Sequence, residues 1–168
     1  MGTTASASLD AIRSALASGQ SALLWRKLIA DTETPISAAL KLMQPERGDF
    51  LLESVEGGAV RGRYSLLGLD PDLVFRAEGD SAEINRAWQT DRAAFAPLDG
   101  GALAGLRALV RECRAEMDPA LPPALACLVG HFGYETIGLV EKLPRPAPNP
   151  LGLPDMLDRK STRLNSSH

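Results

Sequence analysis

The spacing of apolar and polar residues predicts short strands interspersed with amphipathic helices. Three stretches have a helical period: 8–17 with Ser8 as N-cap, a helix that begins at Pro35 with Thr34 as N-cap, and 103–113. A shorter helix is expected at 135–142. Apolar or alternating runs predict six strands, at 22–30, 50–55, 63–69, 73–77, 82–87 and 125–132.

Glycine and proline mark the connections between these elements. Gly57-Gly58 joins the second strand to the third, Asp70-Pro71-Asp72 predicts a turn, and Glu78-Gly79-Asp80 predicts a hairpin. Pro122-Pro123 breaks the chain, and 144–154 is predicted to be a proline-rich loop. Connections this short join antiparallel neighbours. We therefore expect an α+β fold, an antiparallel β-sheet with helices packed on one face.

Composition indicates an ordinary globular chain. Of its 168 residues 45% are hydrophobic, which is enough for the core of a single domain, and the net charge is −3. Nothing in this balance resembles the basic patch of a nucleic-acid or membrane-surface protein, and no apolar run approaches the ~20 residues that span a bilayer. Cys113 and Cys127 lack metal-ligand spacing, so a reducing cytoplasm is expected.

Chemistry-bearing residues gather at one predicted strand end. Glu53 and Ser54 end one apolar run, and Arg63 and Tyr64 open the next. Together they offer a carboxylate, a hydroxyl, a cation and a phenol, which suit the ammonium and carboxylate of a free amino acid. The alternative is a scaffold hairpin whose polar ends are merely solvated.

The sequence shows no recognisable set of catalytic residues. The Asp and Glu residues are scattered without metal-ligand spacing, and no Ser/His/Asp arrangement is recognisable. His131 lies in an apolar strand and is expected to be structural. We therefore assign no catalytic residue, no metal ligand and no cofactor to this chain.

Several motifs resemble the N-terminal domain of anthranilate synthase component I. They are LLESVEGG and GRYSLLGLDP around the predicted hairpin, DTETP at 31–35, VGHFGYETIGLVEKLP at 129–144 and PNPLGLPD at 148–155. The resemblance covers roughly residues 25–157. In that family LLES helps to form the site where L-tryptophan binds and inhibits. The resemblance thus implies a partial tryptophan site at Glu53, Ser54, Arg63 and Tyr64, whose isolated affinity should be weak or absent.

The resemblance also implies what the whole enzyme does. Chorismate, with glutamine or ammonia, becomes anthranilate and pyruvate in the first step of tryptophan biosynthesis. Mg²⁺ and the reaction centre belong to a C-terminal catalytic domain, and a glutamine amidotransferase subunit is the expected partner. The implied architecture is half of a two-sheet α/β/β/α fold. One sheet face, with five or more apolar residues, should then be open to water. The chain alone should be prone to aggregation or only partly ordered, and it should be inactive.

The last eleven residues, DRKSTRLNSSH at 158–168, differ from what precedes them. They contain a single apolar side chain and resemble the translation of a sequencing adapter, so we expect a non-native tail that contributes neither fold nor function. Without it, 15 of the 18 basic and 20 of the 21 acidic residues remain. The expected organisation is a helical extension at 1–20, the domain at 21–157 and the tail.

Two alternatives stay open from the sequence. One is the corresponding part of aminodeoxychorismate synthase component I, the folate-branch sister enzyme, in which bound tryptophan would be structural. The other is a free-standing small-molecule-binding module.

Overall fold

The computed structural model describes residues 9–19, 22–53, 64–114, 119, 121–142 and 148–167. Its helices are α1 (Leu9–Ala17), α2 (Pro35–Leu42) and α3 (Ala102–Glu112), with 3₁₀ helices at Pro123–Ala126 and Tyr134–Leu139. The described residues form one sheet of six strands, β1 (Phe50–Glu53), β2 (Ser65–Glu78), β3 (Ser81–Asn85), β4 (Ala96–Leu98), β5 (Val129–Phe132) and β6 (Met156–Ser167). Every pairing is antiparallel, which confirms the α+β class.

The sheet is organised around the 14-residue strand β2. One edge of β2 pairs with β6 from Ser65 to Ala77. The other edge pairs first with β1 and then, beyond the middle of the strand, with β3. Strands β4 and β5 close the order β4-β3-β2-β6-β5. Both predicted hairpin partners of β2 are thus confirmed.

The core lies between α3 and one face of this sheet. Leu73, Phe75 and Ala77 alternate along β2 and point into it, as expected for a strand with period two. Further buried members of the cluster are Ala82, Ile84, Met156, Ala102 and Leu109.

The opposite face, next to β3, is covered by a loop rather than by a helix. The Arg76 guanidinium lies 3.8 Å from the centre of the Phe95 ring, a cation–π contact. Asn85 is fully buried and donates from Nδ2 to the Asp91 carbonyl at 2.7 Å. Trp88 Nε1 donates to the Arg47 carbonyl at 2.8 Å, which ties this loop to the connection before β1.

Helix α2 begins as its sequence predicts. The Thr34 hydroxyl accepts from the Ser37 amide at 3.0 Å, and the Ser37 hydroxyl accepts from the Thr34 amide at 2.9 Å. This reciprocal capping box satisfies two backbone donors, and Pro35 at the first helical position needs none. Helix α1 also lies where it was predicted, and its proposed cap Ser8 lies outside the described residues.

The predicted turn at Asp70-Pro71-Asp72 is wrong. β2 continues through these residues, and its register with β6 shifts between Pro71 and Leu73. A β-bulge there absorbs the turn-forming residues without ending the strand. Asp70 takes the left-handed conformation (φ 55°), and its amide donates to Asp49 Oδ1 at 2.9 Å.

The predicted strand at 22–30 is also wrong, since only Arg26 makes a strand-like bridge. Leu28 and Ile29 of this run are exposed, so its apolar side chains are not packed against the described sheet. The predicted strand 125–132 is shortened at its start, where Pro123–Ala126 forms a 3₁₀ turn, and β5 is largely exposed rather than buried. The short helix predicted at 135–142 is the 3₁₀ helix Tyr134–Leu139.

The exposed apolar side chains do not form the single sheet face expected. Among the described strand residues, large exposed apolar side chains are Leu52 and Phe132. The others lie on helices and connections, and include Leu28, Ile29, Leu40, Tyr134, Val140 and Leu151. The expected strip of five or more apolar strand residues is therefore absent from the described part of the chain.

Residues 158–167, predicted to be a tail outside the fold, belong to the sheet. They form most of β6, which pairs with β2 from Met156 to Ser167 and with β5 at 156–159, and the strand crosses the expected boundary at 157 without interruption. Arg159, given no role from the sequence, donates from Nη1 to the Gly48 carbonyl at 2.8 Å. The non-native origin of this segment stays a prediction.

Candidate functional site

The structure brings two of the four predicted ligand-binding residues to one end of the β1–β2 hairpin. Glu53 is the last residue of β1, is exposed, and pairs directly with Ser65. Tyr64 is half-buried and immediately precedes Ser65. Ser54 and Arg63 lie outside the described residues, so their placement stays a prediction.

Ser65 is a polar neighbour that the sequence-based site left out. Directly paired residues of antiparallel strands carry their side chains on the same face, so the Ser65 hydroxyl lies on the face of Glu53. The GRYS motif contains this serine, but only the strand register identifies it as the partner of Glu53. The hairpin end therefore offers a carboxylate beside a hydroxyl.

Close packing of Phe50 on Gly68 fixes the register of this hairpin. The two residues are direct partners, and a Cβ at position 68 would overlap the Phe50 ring. Glycine is required here by the close approach of the ring. The next pair, Leu51 with Leu67, buries Leu67 almost completely. This register places Glu53 directly opposite Ser65.

A buried carboxylate anchors the start of β1. The Asp49 side chain is 1% exposed and accepts from Arg47 Nη2 at 2.6 Å and from the amides of Asp70 and Gln44 at 2.9 Å each. Burial alone would raise the pKa of Asp49, but the hydrogen bonds from Arg47 and the two amides outweigh it and lower the pKa. The anchor stays ionised at neutral pH and joins β1 to the β2 bulge.

A second polar cluster surrounds an open cavity of about 330 Å³ lined partly by Asp72, Arg86, Glu112, Cys113 and Lys160. Its charges are already paired. Lys160 Nζ lies 2.9 Å from Asp72 Oδ2, and Arg86 Nη2 donates to Glu112 Oε2 at 2.7 Å. Burial raises the pKa of the Cys113 thiol, so this cysteine is not an activated nucleophile. The Arg86–Glu112 pair links the end of α3 to the residue after β3, and the Lys160–Asp72 pair joins β6 to β2, so the cluster is best explained as structural.

Most of the chain is similar in sequence to known proteins. No family model matches. A stretch of 137 residues, 82% of the chain, is 50% identical to anthranilate synthase component 1 of Cereibacter sphaeroides. The corresponding proteins of Mycolicibacterium smegmatis and Synechocystis are 39% and 40% identical over 79% of the chain.

Over its matched length, the chain is a relative of anthranilate synthase component 1. It spans about a quarter of the length of these curated relatives, 27%, 24% and 25% respectively. All three carry the anthranilate synthase name, so the folate-branch alternative is not favoured.

The described residues of this anthranilate synthase relative do not fit a metal ion. No three His, Cys, Asp or Glu side chains gather in a possible ligand set within the part that the structure describes. His131 lies on exposed strand β5, with Nε2 3.2 Å from the Pro154 carbonyl. We therefore derive no chemical step from Mg²⁺ in this chain. Among the described helices, none is long and apolar enough to cross a membrane.

Proposed function

We propose that this chain is the scaffold and regulatory portion of an anthranilate synthase component 1, preceding the catalytic domain. The observation that carries the proposal is the similarity over four fifths of the chain, which includes the LLES strand end. The complete enzyme would convert chorismate, with glutamine or ammonia, to anthranilate and pyruvate. Mg²⁺ and the reacting groups would be held by residues outside this chain.

The regulatory part of the proposal is a partial L-tryptophan site at the β1–β2 hairpin end. The Glu53 carboxylate would offset the charge of the ligand ammonium, and the Ser54 hydroxyl would accept a hydrogen bond from it. Arg63 and Tyr64 would complete the polar side of the site. Support comes from the exposed position of Glu53 beside Ser65 and from the close packing of Phe50 on Gly68 in the same hairpin.

Inhibition requires that tryptophan bind the inactive arrangement more tightly than the active one. A strand end anchored through Phe50 and Asp49 suits this role, because a ligand that contacts Glu53 also acts on the position of β1. The partner in the working enzyme would be a glutamine amidotransferase subunit. The two free thiols suit a reducing cytoplasm, where we place the protein.

The test uses a complete enzyme that carries this stretch and compares Glu53→Gln with Glu78→Gln. Both glutamates are exposed at strand ends, but Glu78 lies at the far end of β2. Loss of the charge at 53 should raise the tryptophan concentration for half-inhibition roughly tenfold, since a charged hydrogen bond contributes about 1.5–3 kcal/mol. The kcat without tryptophan should not change.

Glu78→Gln should leave the inhibition curve unchanged, and Ser54→Phe should relieve inhibition as Glu53→Gln does. If Glu53→Gln and the unaltered enzyme give the same inhibition curve, Glu53 does not contact tryptophan.

A further inference from the structure

Strand β6 carries a carboxylate into the interior of the sheet. Asp158 is 4% exposed, pairs with Phe75 of β2, and faces Gly130 of β5 on its other side. Its Oδ2 has no hydrogen-bond partner within the described structure. Burial raises the pKa of Asp158, and the charges of His131 and Arg159 offset only part of that effect.

A second buried polar group lies three residues further along β6. Ser161 is 9% exposed, and its hydroxyl has no partner among the described residues. The residue opposite is the buried Pro71, which has no backbone N–H to offer. Each buried polar group without a partner costs free energy that an apolar side chain of similar shape would not.

The surroundings of Asp158 are those of an apolar position. Met156 lies two residues earlier on the same face, is 1% exposed, and belongs to the core cluster with Phe75 and Ala77. Strand β6 therefore begins with Met156, whose apolar side chain fits the core, and continues with Asp158, whose carboxylate does not. The backbone pairing of β6 is complete on both sides near Asp158, so the mismatch lies in the side chains.

We propose that the edge of β2 now paired with β6, flanked by β5 at one end, is a strand-binding groove. Its matched occupant is an extended segment with aliphatic side chains in place of Asp158 and Ser161, and β6 is an exchangeable occupant. Main-chain hydrogen bonds would accept any extended segment, and the side-chain positions would select among segments. The positions of Asp158 and Ser161 lie opposite Phe75 and Pro71. Strand β6 reaches the proposed tryptophan site only at its end, where Ser167 pairs with Ser65.

The first test adds a labelled peptide to the full chain and measures fluorescence anisotropy. The peptide has the sequence of residues 156–167 with valine at the positions of Asp158 and Ser161, and the controls are the unaltered sequence and a scrambled peptide of the valine composition. The tethered β6 competes at an effective concentration of about millimolar, so absolute affinities will be weak. The valine peptide should bind at least tenfold more tightly than either control.

Capture of the peptide should also release β6. Amide hydrogen exchange at 158–167 should accelerate when the valine peptide is present and stay unchanged with the scrambled one. Equal binding of all three peptides, binding without faster exchange in β6, or no saturable binding of the valine peptide would each overturn the proposal.

The second test places the same change in the chain itself. Asp158→Val should raise the folded-to-unfolded ratio at pH 7 on the order of tenfold, the range set by one buried unsatisfied polar group. It should also weaken capture of the valine peptide, because the tethered strand then fits. Asp99→Val, at an exposed turn, is the matched control and should do neither. An Asp158→Val chain that loses stability, or that binds the peptide more tightly, would contradict the groove.

Discussion

At the scale of single residues, the pKa values of two buried carboxylates are shifted in opposite directions. Asp49 is surrounded by donors from Arg47 and two backbone amides, so its pKa is lowered even though burial opposes ionisation. Asp158 is buried with one oxygen unpartnered, so its pKa is raised. Asp49 stabilises the fold when ionised, and Asp158 destabilises it when ionised.

The pH dependence of stability should separate Asp158 from the rest of the chain. Its folded pKa lies above its unfolded value, so the native state binds the extra proton, and stability falls as pH rises from the unfolded through the folded pKa. Asp158→Asn removes this titration. The urea midpoint of Asp158→Asn minus that of the unaltered chain should therefore be larger at pH 7 than at pH 4. A difference that is constant across this range would show that Asp158 has no raised pKa.

At the scale of elements, the sequence predicted those helix ends and turns that depend on contacts between neighbouring residues. Thr34 and Ser37 are three residues apart, so the capping box of α2 is readable from the sequence. The hairpin at Glu78-Gly79-Asp80 is equally local, since Glu78 pairs with Ser81. The continuation of β2 through residues 70–72 was not predictable, because it depends on β6 and Asp49, which are distant along the chain.

The candidate site shows the same limit. Sequence motifs predicted Glu53 and Tyr64 as site residues, but the pairing of Glu53 with Ser65 depends on the hairpin register that the packing of Phe50 on Gly68 fixes. The run at 22–30 has strand composition but forms only a bridge at Arg26. Strand pairing depends on residues elsewhere in the sheet and not on local composition alone.

The hairpin register makes a steric prediction. Gly68→Ala should destabilise the fold by about 1–3 kcal/mol, the range of overpacking, because the new Cβ overlaps the Phe50 ring. Phe50→Leu in the same chain should restore part of the loss. Gly138→Ala is the control, since nothing lies within 4 Å of a Cβ there. Equal unfolding midpoints for Gly68→Ala and Gly138→Ala would contradict the close contact.

At the scale of the whole molecule, the chain has a well-formed sheet but exposes many large apolar side chains on its helices and connections. Leu28, Ile29, Leu40 and Leu151 are each between 66% and 83% exposed. The matched relatives are about four times as long as the stretch compared. The division proposed above follows this difference in length, with scaffold and regulation in this chain and chemistry in the remainder of the enzyme.

That division is tested most directly by anthranilate fluorescence. The purified chain would be incubated with chorismate, ammonia and Mg²⁺, beside a complete anthranilate synthase as positive control. We expect no anthranilate above the protein-free rate, because the described residues provide neither a metal ligand set nor an assigned acid–base group. Sustained anthranilate formation by the chain alone, proportional to its concentration, would contradict it.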